Sequence, residues 1–115
     1  METNDIPSSG PTDWQPIGDK HDLAVLGKLG EEAAELAGIC FRCIIQGLDE
    51  AEPRTGKVNR VALTEEIADV TAMIDAAVQR LRLSEVEISR RVVRKSIYKK
   101  PWFDSLAARS RDSDA

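Results

Sequence analysis

Leu63, Ile67, Val70, Ile74, Ala77 and Leu81 recur at steps of three and four, the clearest amphipathic signal in the chain. That spacing gathers apolar side chains along one stripe of a 3.6-residue helix, and the stripe needs something to cover it. A helix is therefore expected over 61–82. Asp19 or Asp22 can cap an earlier helix running to about Gln46, where Gly47 supplies a stop. Residues 47–60 carry Pro53 and Gly56 and read as a connector. Ser84 followed by Glu87 is a capping box that opens a third helix to about Lys100, with Val86, Val93 and Ile97 facing inward and Pro101 as its stop. Plentiful Ala and Leu, with only 4% aromatic residues, favour helix over sheet. The fold class expected is all-α: an antiparallel helical hairpin plus a third helix.

Residues 1–18 hold Pro7, Pro11, Pro16, Gly10 and Gly18 among polar residues and read as a flexible N-terminal arm. The helical domain is expected over 19–108, where Trp102, Phe103 and Leu106 can dock, with a disordered tail over 109–115. A chain of 115 residues fits one domain, and its helices need a partner chain to cover their apolar faces. No stretch approaches the roughly 18 apolar residues that span a bilayer. The acidic, polar start (Glu2, Asp5) lacks an apolar signal core, so a cytoplasmic location is expected.

The net charge of −4 is unevenly laid out. Glu31 to Asp69 contains nine acidic residues against four basic ones, whereas Ser84 to Lys100 contains six basic residues against Glu85 and Glu87. An acidic centre beside a basic helix suits a metal with a phosphorylated ligand; solvated helix faces would look the same. Overall acidity argues against a broad surface tracking nucleic-acid phosphates. Cys40 and Cys43 form a lone CxxC inside a helical pattern, and His21 is the sole histidine. A structural zinc site would want a second pair, so buried or half-buried free thiols are expected.

The most informative residues are carboxylates. Glu31-Glu32-Ala-Ala-Glu35 lies on the first helix and Glu66-Ile-Ala-Asp69 on the second. Residues three apart share a helix face one turn apart. Setting Glu35 beside Glu66 in an antiparallel hairpin sets Glu32 beside Asp69, and the connector must then descend about 9 Å. Four converging carboxylates repel unless a cation sits among them. All-oxygen ligation selects a hard ion, magnesium or manganese. Ala33, Ala34, Ala37, Ala68 and Ala72 are small enough to let the helices approach closely and to leave room for a substrate. A Glu-x-x-Glu pair on a helix also commonly just faces water, and spacing alone leaves that reading open.

With these motifs the chain resembles the MazG-like branch of the all-α nucleoside triphosphate pyrophosphohydrolases. The family pattern is EExxE on one helix and ExxD on the next. Glu31, Glu32, Glu35, Glu66 and Asp69 match it, within KLGEEAAELAG and LTEEIADV, and the similarity covers roughly residues 20–100. The resemblance implies a bundle completed by a homodimer or homotetramer, with Glu32, Glu35, Glu66 and Asp69 as magnesium ligands. Glu31 would lie beside the ligands or simply be exposed. The family's basic motif is loosely matched by RKSIYKK, which makes Lys95 and Lys99 the implied phosphate contacts, with Arg91 on the same face. The thirty residues between Glu35 and Glu66 make a long connector for the family.

The implied reaction is magnesium-dependent hydrolysis of an NTP or dNTP to the monophosphate and pyrophosphate, with Glu35 orienting or deprotonating the attacking water. Trp14 or Trp102 could stack on a base, although packing of the tail explains Trp102 as well. The alternative from a different class is a non-catalytic helical interaction or regulatory module that retains the fold. A nucleic-acid binder using the basic helix is the weaker third reading.

Overall fold

The computed structural model describes residues 13–114, which form three helices: α1 (Lys20–Gln46), α2 (Asn59–Leu81) and α3 (Glu85–Asp114). Most of the arm read over 1–18 lies outside the described residues, as does Ala115. Among the described residues the sole β feature is an isolated antiparallel bridge between Ala51 and Val58.

Each helix end has a local cause. Asp19 is the N-cap of α1, its Oδ1 accepting from the Asp22 amide at 2.9 Å, which satisfies one of the first-turn N–H groups that have no partner inside the helix. Gly47 ends α1: its N–H donates to the Cys43 carbonyl at 2.9 Å while its φ is 106°, a conformation that side-chain-bearing residues avoid. The connector then folds back on itself. Glu52 and Lys57 pair through their backbones, Gly56 turns the chain at φ 76°, and the Glu52 carboxylate accepts from the amides of Arg54 and Thr55 and from the Thr55 hydroxyl. These bonds hold the Glu52 carboxyl below its ordinary pKa. The connector's carbonyls also receive the first amides of α2: Asn59 N–H donates to Glu50 O at 2.9 Å and Arg60 N–H to Leu48 O at 2.8 Å. α2 therefore starts at Asn59, two residues earlier than its apolar pattern suggests.

α1 and α2 pack as an antiparallel hairpin. At one end Arg80 reaches across from α2 to Asp22 (2.7 Å) and Asp19 (3.1 Å) at the start of α1. At the other end Asn59 meets the last turn of α1. Asn59 is fully buried, and its side chain makes three of the four hydrogen bonds open to it: Oδ1 accepts from Arg42 Nε, and Nδ2 donates to Gln46 Oε1 and to the Gly47 carbonyl, all at 3.0 Å.

The apolar stripe of α2 is only partly covered. Ala77 is buried and Leu63, Val70 and Leu81 are half-buried, but Ile67 and Ile74 are 49% and 45% exposed. One facing helix cannot cover a stripe as wide as this one. Small residues do pack in the hairpin, but they are Ala62 and Ala77; Ala33, Ala34, Ala37, Ala68 and Ala72 are exposed. Cys43 is a half-buried free thiol as expected, whereas Cys40 is exposed.

The residues from Arg82 onward form a separate unit. Arg82 takes a left-handed φ of 55°, and Ser84 Oγ accepts from the Glu87 amide at 3.1 Å to open α3. The expected stop at Pro101 is corrected: α3 carries Pro101 in its interior and runs to Asp114, taking in residues read as a disordered tail. Proline removes one amide donor and crowds one carbonyl, yet neighbouring turns can hold the helix, and the Lys100–Asp104 pair at 2.8 Å spans the position. Val86, Val93 and Ile97, expected to face inward, are exposed.

Candidate metal centre

Glu32 and Glu35 stand one turn apart on α1, and α2 brings Glu66 to them. One carboxylate oxygen from each of the three lies within 4.8 Å of the others. Their environments differ in a graded way: Glu32 is only 7% exposed, Glu66 is half-buried and Glu35 is exposed. Two buried oxygens in this group, Glu32 Oε2 and Glu66 Oε2, accept no hydrogen bond. A buried carboxylate oxygen without a donor is costly, and two in one cluster call for a proton or a cation.

Electrostatics point the same way. The Glu66 pKa is raised above its ordinary value, first by burial and then by the negative charges of Glu35, Glu32, Asp69 and Glu65. Among the described residues, Lys28 is the cation that pairs with the cluster, its Nζ 3.4 Å from Glu32 Oε1 and 2.9 Å from Glu31 Oε1. Three oxygen donors from two rigid helices fit a hard divalent ion, with open positions left for water or ligand oxygens.

Of the residues singled out in the sequence, Glu32, Glu35 and Glu66 come together. Asp69 is exposed and stands outside the three-carboxylate group, though its charge still bears on Glu66. Glu31 is exposed and bonded to Lys28. Lys95 and Lys99 are exposed on α3; Lys95 lines a basic hollow of about 80 Å³ with Arg91, Arg94 and Tyr98, and Lys99 is not part of it. Trp14 is exposed, and Trp102 packs against Phe103 with ring centroids 5.0 Å apart.

Two residues escaped the motif-based reading. Lys28 could have been found from its spacing, four residues before Glu32 on the same helix face. Asn59 had no such signal, because its partners are assembled by the fold of the connector. Comparison with known proteins finds no family model, no curated protein and no solved structure that matches this chain. No helix among the described residues is long and apolar enough to cross a membrane.

Proposed function

We propose that this chain is a cytoplasmic, magnesium-dependent nucleoside triphosphate pyrophosphohydrolase of the MazG-like type, active as a homo-oligomer. The observation that carries the reading is the meeting of Glu32, Glu35 and Glu66 from two helices with two buried carboxylate oxygens left without donors. Glu32 and Glu66 are the fixed anchors, because burial and hairpin packing restrict them. Glu35, the exposed member, is the residue free to face solvent and substrate.

Glu32, Glu35 and Glu66 would hold a magnesium or manganese ion, with Asp69 the fourth ligand that the motif suggests. Such an ion supplies charge neutralisation for phosphate oxygens and lowers the pKa of a water bound to it. Glu35 orients the attacking water and accepts its proton on a carboxylate oxygen as the water adds to the α-phosphorus. As the water adds, the bond from the α-phosphorus to its bridging oxygen breaks and pyrophosphate leaves; the phosphate contacts that the family motif implies are Lys95 and Lys99, with Arg91.

The test is a screen of canonical and modified NTPs and dNTPs with magnesium, reading pyrophosphate release. Release from at least one nucleotide, lost on chelation of the metal, is the expected result. Manganese binding without turnover of any nucleotide would favour the regulatory helical module, which the exposed apolar faces would also suit. Absence of both binding and turnover would end the metal-site reading.

A further inference from the structure

Lys28 lies on α1 one turn before Glu32, outside the EExxE motif. Its ammonium contacts Glu31 Oε1 at 2.9 Å and Glu32 Oε1 at 3.4 Å, so it occupies one oxygen of the most buried carboxylate while Oε2 of the same group has no donor. A divalent ion gathering oxygens from Glu32, Glu35 and Glu66 would sit beside this ammonium and repel it.

The Lys28 pair is a half-exposed one, open to competition from solvent and other anions. Its side chain is 51% exposed, with a four-carbon stem that lets the ammonium move while the stem stays on the helix. Lysine four residues before glutamate is also the weaker order for such a pair on a helix. A metal–polyphosphate ligand would bring anionic oxygens to the place where the displaced ammonium needs them.

We propose that Lys28 is a polyphosphate-binding residue of this site, held between Glu31 and Glu32 in the metal-free protein and transferred to a phosphate oxygen when the metal–polyphosphate complex binds. This rests on the metal-site reading above and adds a contact from α1 itself, independent of the basic residues of α3. It makes Lys28 act in opposite directions on two ligands: against the bare metal, and in favour of the phosphate.

The experiment uses the full chain, with manganese and inorganic triphosphate as probes and Lys28→Met and Lys28→Arg as variants, each checked for helix content by circular dichroism. Manganese binding is read from the electron paramagnetic resonance of the free ion, and triphosphate binding in saturating manganese by calorimetry. Lys28→Met is expected to bind manganese alone about two- to fivefold more tightly and triphosphate about tenfold more weakly than the unaltered protein. Lys28→Arg should keep triphosphate binding within about threefold, since it keeps the charge. Unchanged triphosphate affinity, or weaker manganese binding, in a folded Lys28→Met would overturn the assignment and leave Lys28 a surface ion pair. Failure of the unaltered protein itself to bind manganese would overturn the metal-site reading, and this assignment with it. The two failures are distinct, since the first shows only in the variant.

Discussion

Glu35 and Asp69 are the residues at which the metal reading can be most directly broken. Glu35→Gln keeps shape and removes both a ligand charge and the base, so turnover is expected to fall by about 100-fold or more with the helices intact. Asp69→Asn should also lower activity, but less, because Asp69 stands outside the three-carboxylate cluster. Unchanged rates in both at saturating magnesium would sink the site. Glu66 gives a test that needs no substrate. Its pKa is raised, so in the metal-free protein it takes up a proton more readily folded than unfolded. Its contribution to stability is therefore most favourable at low pH and is lost as pH rises past the ordinary value of 4.5 and through the raised one. Metal-free Glu66→Gln should consequently melt at a higher temperature than the unaltered protein at neutral pH, with the gap closing towards pH 4. A gap that widens on acidification would contradict the crowding of carboxylates. Asn59 is the structural counterpart: Asn59→Ala removes three side-chain hydrogen bonds at a fully buried position, one of them from a guanidinium. A loss of about 3 kcal/mol is expected by denaturant unfolding. Asn59→Asp should be no rescue, because it sets a carboxylate against the Gln46 and Gly47 oxygens.

The elements were legible where one local cause decides them. Asp19, Gly47 and Ser84 mark helix ends through their own side chains or backbone, and the structure uses all three, although the Glu87 carboxylate pairs with Arg90 instead of closing the Ser84–Glu87 box. The hairpin followed from period and connector length, and with it the approach of Glu35 to Glu66. The fourth carboxylate was less accessible to that argument, because register along the axis does not settle how far each helix is rotated about it; Asp69 lies outside the group of three, though its charge still bears on Glu66. Pro101 shows the limit of a local rule. A proline weakens a helix without being bound to end it, and the helical turns on either side decide the outcome. Circular dichroism checks this: Pro101→Ala should gain little helical signal, because residues 102–114 are already helical. A gain equivalent to three turns would mean that α3 ends at Lys100 in solution.

At the scale of the whole molecule, the buried apolar residues among those described are Ala62 and Ala77, too few for a stable core. Meanwhile Ile67 and Ile74 are half in solvent along the α2 stripe, and Ile44 and Ile45 at the end of α1 are 78% and 82% exposed. Isolated apolar residues on a surface need no explanation, but a helical stripe in register does. A second copy of the chain is the occupant expected, since an identical stripe supplies the complementary apolar surface and a two-fold arrangement closes on itself. Light scattering at micromolar concentration should therefore give a mass that is a multiple of 12.7 kDa, and the melting temperature should rise with protein concentration. Ile74→Asp separates this from a stable monomer. On a lone protomer the side chain is partly in water and the substitution should be tolerated; in an assembly it buries a charge in an apolar contact. Dissociation, with a fall in stability at every concentration, is the expected result. A variant that keeps the mass and melting temperature of the unaltered protein would show that copies of this chain do not meet along α2.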